Sequence, residues 1–277
     1  MTTDPPTGSA DAVPRALVPG PAQALLVYLG FALLYQSAGA VLTARGWPPA
    51  ATLPLLHGGI LFGGSLILAR VQGVSIPETF AWRPPRSAGD VLLSVIAVAA
   101  LTPLLLHLAW LQDLVFRDLG MNTRPALEEV HRQIGGLAEL GTAVALGLVA
   151  VLPAVCEETF FRGYLLSGFR RDWGAGAGVA MSAVLFGAMH AFVPDKILMQ
   201  TLQGALFGVL VVRTGSLWPA VAAHFVNNAA VVLMMRPADP PPDVVPSAVP
   251  LPILAVALAI LSASVWGTGR ELKPAKL

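Results

Sequence analysis

The chain has 277 residues, of which 55% are hydrophobic and only 12% charged, and its formal net charge is +1. Soluble domains carry about 25% charged residues, so this composition excludes an ordinary soluble fold, and so balanced a charge offers no electrostatic footprint for nucleic acid. The single cysteine, Cys156, excludes an internal disulfide and a cysteine-based zinc site.

Residues 1–20 carry Asp4, Asp11, several prolines and one cation, Arg15. They lack the basic start of a cleavable signal, and a disordered tail is expected. A membrane span needs roughly 20 mostly apolar residues. Eight segments qualify: 21–43, 50–69, 89–110, 141–169, 176–193, 197–213, 216–235 and 249–266. The expected fold is therefore all-α, a polytopic membrane protein of about eight transmembrane helices enclosing a polar cavity. His57 and His107 are isolated in apolar spans and read as packing or local hydrogen-bonding residues.

Between the third and fourth spans, Arg124 to Leu140 places Leu127, Val130, Ile134 and Leu137 at helical spacing, with Glu128, Glu129, His131 and Arg132 on the other face. That pattern predicts an interfacial amphipathic helix starting at Pro125. Pro153 is expected to kink the fourth span, because it removes a backbone donor. Cys156 reads as a small apolar filler. Asp195 and Lys196 read as bounding a turn, and Gly204-x-x-x-Gly208 as a close-packing face in the sixth span. Residues 237–250 are proline-rich and predict a linker outside the bilayer. The chain thus divides into a tail (1–20), N-terminal spans with the interfacial helix (21–140), a polar-bearing core (141–235) and a linker, last span and tail (236–277).

Lysine and arginine set the orientation. With the N-terminus inside, ten of them fall on the cytoplasmic side (Arg15, Arg70, Arg83, Arg86, Arg170, Arg171, Arg213, Arg270, Lys273 and Lys276) and six on the other. Both termini are therefore expected in the cytoplasm.

Three polar motifs interrupt the apolar core: Glu157-Glu158-x-x-x-Arg162, Phe186-x-x-x-His190 and His224-x-x-x-Asn228. A charged side chain at a helix centre costs about 2.5 to 3.5 kcal/mol on insertion scales, so these groups need pairing or a wet cavity. Residues four apart share a helix face. Glu158 can therefore pair with Arg162, while Glu157, about 100° round the helix, turns to a cavity. At 1.5 Å per residue, Glu157, His190 and His224 lie about 18, 22 and 12 Å from one face of the membrane, so they can meet. Glu with His can move protons to and from water, and His224 with Asn228 can donate to an oxyanion. The same Glu157, His190 and His224 could instead hold zinc with an activated water.

At these residues the chain resembles the CPBP family of intramembrane proteases, which includes type II CAAX prenyl endopeptidases and bacterial Abi proteins. The family pattern is matched by E157-E-T-F-F-R162, F186-G-A-M-H190 and H224-F-V-N-N228, and the stretch from Arg213 to His224 is similar to the family's approach to its last motif. The resemblance covers residues 145–235. It implies that Glu157 and His190 activate water, that His224 and Asn228 stabilise the oxyanion, and that Glu158 and Arg162 support the site, with Phe186 shaping the pocket wall. It leaves metal-free glutamate chemistry and zinc chemistry both open, the former preferred. The expected substrate is a membrane-associated peptide or protein, whether prenylated or not. The Ala-, Gly-, Pro- and Arg-rich composition points to a bacterial cytoplasmic membrane. The competing readings are a proton- or cation-coupled transporter and a non-catalytic scaffold or immunity protein.

Overall fold

The structure is a computed structural model that describes residues 18–234 and 247–269. Most of the expected N-terminal tail and linker, together with Arg15, Arg236, Arg270, Lys273 and Lys276, lies outside the described residues.

Among the described residues all regular structure is helical. Helix α1 (Pro21–Ala44) leads to α2 (Pro49–Val71), the short α3 (Ile76–Phe80) and the long α4 (Ala88–Asp118). The amphipathic segment forms α5 (Arg124–Glu139). One helical run, Thr142–Met189, follows. Gly174 breaks it at φ 80° and ψ 171°, a backbone region essentially confined to glycine, so the run is two legs, α6 (142–173) and α7 (175–189). Helices α8 (Pro194–Thr214), α9 (Trp218–Met234) and α10 (Leu251–Gly267) complete the chain. Five of these helical runs are long and apolar enough to cross a membrane, and α9 and α10 are shorter apolar helices. The chain is an all-α polytopic membrane protein.

Local chemistry sets the boundaries. Proline lacks an N–H, and the first turn of a helix needs none there; it opens α1, α2 and α8. The Ser87 hydroxyl caps α4 by accepting from the Asp90 amide at 3.3 Å. Gly215 closes α8 in the left-handed conformation.

Burial shows which helices form the centre. Within the most apolar 18 residues of α1 only 6% are buried, against 56% in the 142–189 run. Helix α1 is therefore peripheral, while α6 and α7 pack against α1, α2, α8 and α9. One aromatic core joins Phe80, Phe160, Phe161, Tyr164 and Phe169 below α1. A second joins Leu101, Phe207, Leu210 and Leu217 between α4, α8 and α9. Helix α5 packs Ile134 and Leu137 onto Ala145 and Val232, so the amphipathic element covers one end of the bundle.

On either side of Pro153 the helix widens to π-type hydrogen bonding, over Leu146–Val151 and again over Thr159–Leu165. A break in the helical backbone comes at Gly174. Helix α2 is likewise π-type over Pro54–Gly63. Such turns let a helix absorb a missing donor, and they recur at functional sites.

Candidate active site

The polar residues of the 142–189 run lie where the apolar helices converge. Glu158 and Arg162 are both fully buried on α6, with Arg162 Nη1 donating to Glu158 Oε1 at 3.0 Å. The guanidinium lies 4.3 Å from the Phe186 ring centroid and 5.4 Å from that of Phe207. Helix α8 reaches this cation closely at Gly204, where a Cβ would sit 2.8 Å from Arg162 Nη2. The glycine face of α8 therefore packs on the ion pair as well as on α7.

Glu158 has a second role. His224 Nδ1, from α9, lies 2.8 Å from the same Oε1, and a carboxylate accepts only, so the imidazole N–H donates. This fixes the ring and leaves Nε2 facing Glu157 Oε2 at 3.9 Å. On α7, His190 Nδ1 lies 2.8 Å from the Phe186 carbonyl. That nitrogen must carry the hydrogen, which leaves Nε2 of the neutral ring as the proton acceptor.

Glu157, His190, His224 and Asn228 all open onto one cavity of about 520 Å³ between α2, α4, α5, α6, α8 and α9. The three sequence motifs thus meet at one place. Asn228 does more than face the cavity: its Nδ2 donates to the Val149 carbonyl at 3.1 Å. Val149 is four residues before Pro153, the position whose carbonyl loses its α-helical partner when proline replaces an N–H. The side chain of α9 satisfies the group that Pro153 orphans.

Phe186 departs from the expectation that it shapes the pocket wall. It is 1% exposed and lies behind the wall, edge-on to His190 and His224 with ring centroids 5.0 and 6.1 Å away. It is a platform shared by both imidazoles and the Arg162 guanidinium. Cys156 is buried, as a filler would be.

Sequence reasoning passed over several cavity residues. His57, read as an isolated packing residue, places Nε2 3.1 Å from Glu157 Oε1. The Tyr35 hydroxyl on α1 lies 3.2 Å from the same nitrogen. Gln203 donates to Asn227 Oδ1 at 2.7 Å. Lys196, taken for a turn residue, lines the cavity with Gln200 and Gln203. Its neighbour Asp195, in the first turn of α8, accepts from the Thr123 hydroxyl at the start of α5 at 2.9 Å. The spacing 196, 200, 203 is one helical face, and that polar stripe on an apolar span was a usable signal. His107, read as a packing or local hydrogen-bonding residue, instead bonds across the bundle, accepting from the Val249 amide at 3.1 Å.

The zinc donors suggested by the sequence, Glu157, His190 and His224, share the cavity without forming a ligand cage. Among the described residues no three His, Cys, Asp or Glu side chains are gathered as a metal site. Glu157 Oε1 is engaged by His57, and His224 Nε2 stands 3.9 Å from Oε2. No step below is routed through a metal.

Fold and site together define a multi-pass membrane protein that gathers glutamate, histidine and amide groups in one cavity among apolar helices. Residues 139–230 match the family described as type II CAAX prenyl endopeptidase Rce1-like. No curated protein and no solved structure matches the chain. The matched segment holds Glu157, Glu158, Arg162, Phe186, His190, His224 and Asn228. Tyr35 and His57 fall outside it.

Proposed function

We propose that this protein is an endopeptidase that hydrolyses a peptide bond of a membrane-associated protein or peptide. The observation that carries this reading is that Glu157, His190 and His224, from three helices, open onto one cavity. Glu157 Oε2 takes one proton of a water that also donates a hydrogen bond to His190 Nε2, as the water oxygen attacks the scissile carbonyl carbon. The proton then passes to the departing amine as the carbon–nitrogen bond breaks, which closes the cycle with both groups restored. The second amide hydrogen of Asn228 faces the developing oxyanion, and so does His224, whose Nδ1–H is held by Glu158 and whose Nε2 donates when the ring is the imidazolium. One donor of this kind is worth about 10²–10³ in kcat. Arg162 pairs with Glu158 and holds it in place.

The chemistry is proposed as metal-free glutamate catalysis, because the site's own proton acceptors suffice for each transfer. The cavity wall is mostly apolar, with Leu105, Leu137, Leu148 and Phe192 among its residues, which suits a lipid-dissolved or lipid-bearing substrate. Prenylated CAAX peptides are one such class, in keeping with the family match, and unprenylated membrane peptides are another. We place the protein in a bacterial cytoplasmic membrane with both termini in the cytoplasm, on the lysine and arginine bias.

The test compares new N-termini, tagged and sequenced, in membranes containing the wild type, Glu157→Gln and His190→Ala. The expected result is a set of cleavage sites present only with the wild type. If all three proteins yield the same termini, the reading is wrong. Ion-driven uptake of solute into proteoliposomes without any cleaved product would instead make the protein a transporter.

A further inference from the structure

The pairing of Glu157 with His57 stands apart from the motifs, because His57 lies on a helix that the family match does not cover. We infer that His57 is a positioning residue that selects which carboxylate oxygen of Glu157 attends the hydrolytic water, and that Tyr35 braces His57 in that task. The inference rests on the proposed hydrolytic role of Glu157.

The geometry is specific. His57 is 5% exposed, and its Nε2 lies 3.1 Å from Glu157 Oε1. Its Nδ1 lies 3.3 Å from the carbonyl of Leu53, one turn earlier on α2. A carbonyl and a carboxylate both only accept, so with both contacts made the ring carries a hydrogen on each nitrogen and donates Nε2–H to Glu157 Oε1. The Tyr35 hydroxyl is 3.2 Å from Nε2, and the two rings meet edge-on at 85°. The imidazole is thereby fixed by α1, α2 and α6 together.

A carboxylate has two oxygens and one rotatable bond that exchanges them. With Oε1 engaged by His57, the Oε2 atom is held towards the cavity and towards His224 Nε2, 3.9 Å away. Without His57 the carboxylate could turn to either imidazole, and displacement of a catalytic group by about 1 Å costs on the order of 10² in rate. The π-type widening of α2 over Pro54–Gly63 includes His57 itself. Orienting a catalytic group by a buried partner is the same logic by which a buried acid orients a catalytic imidazole, with the two residue types exchanged.

The test uses the full chain in membranes and in detergent, with His57→Ala, His57→Gln, Tyr35→Phe and Glu157→Gln. The probes are peptides spanning the cleavage sites that Glu157→Gln abolishes. The expected result for His57→Ala is a fall in kcat of about 100-fold with KM within about twofold. His57→Gln, which returns an N–H donor near the Nε2 position, recovers activity to within about tenfold of the wild type, and Tyr35→Phe costs a few-fold. A thermal melt in detergent accompanies each variant. If Glu157→Gln abolishes cleavage while His57→Ala cleaves like the wild type, this inference fails and the proposed function stands. The inference also fails if His57→Gln is as impaired as His57→Ala, or if kcat and KM of His57→Ala fall in step with a lowered melting point. If Glu157→Gln abolishes no cleavage site, the hydrolytic reading and this one fall together.

Discussion

Arg162 and Glu158 make the sharpest quantitative test, because neither side chain touches solvent. Glu158 Oε1 receives two donors, Arg162 Nη1 at 3.0 Å and His224 Nδ1 at 2.8 Å. Replacing the arginine by methionine keeps the volume against Phe186 and Phe207 but leaves a buried carboxylate with one partner. Breaking a buried ion pair from one side costs about 3–5 kcal/mol, whereas replacing both charges by neutral groups of similar volume is often neutral. Arg162→Met should therefore lose about 3–5 kcal/mol, and Glu158→Gln/Arg162→Met should return to within about 1 kcal/mol of the wild type. Cleavage should not return in the double variant, because an amide at 158 holds the His224 N–H without a charge. Charge-assisted hydrogen bonds are roughly twice as strong as neutral ones. Reversible unfolding in mixed detergent micelles measures the stabilities, and peptide cleavage the function. A double variant as unstable as Arg162→Met would show that packing, not charge, governs this site. Full cleavage by the double variant would remove Glu158 from the proposed mechanism.

Asn228→Ala should cost about 1–3 kcal/mol by leaving the Val149 carbonyl without its side-chain partner, and Pro153→Ala in that background should recover part of it in the same unfolding assay. Gly204→Ala should lose about 1–3 kcal/mol through overpacking, since its Cβ would meet Arg162 Nη2 at 2.8 Å, Phe186 Cδ1 at 3.1 Å and the Ala183 backbone at 3.2 Å; an unchanged melt would mean that α8 yields freely there. Metal-free chemistry predicts that purified protein keeps its cleavage rate after chelator treatment and carries zinc well below one per chain by elemental analysis. Stoichiometric zinc lost together with activity would overturn that mechanism.

The cost of charge in lipid is what made so much of the site readable before the fold. Glu157, Glu158, Arg162, His190 and His224 each sit in an otherwise apolar run, and apolar surroundings force such groups together or onto water. Helical rise alone then placed three of them at compatible depth. The Glu158 to Arg162 pairing followed from spacing within one helix and is present at 3.0 Å. What spacing within a helix does not carry is the neighbour across helices. His57 has no polar residue one turn away, because its near partner on α2 is the Leu53 backbone carbonyl. Its other partners, Tyr35 and Glu157, are 22 and 100 residues distant. The partner of Asn228 was hidden for the same reason: the carbonyl it satisfies belongs to another helix, and only the coincidence of Pro153 four residues beyond Val149 hints at the need. Phe186 was put on the pocket wall by the family resemblance, yet it lies behind the wall with its ring 4.3 Å from the Arg162 guanidinium. A membrane span read singly reports the cost of its polar groups; the helix that meets that cost is found only when the bundle is assembled.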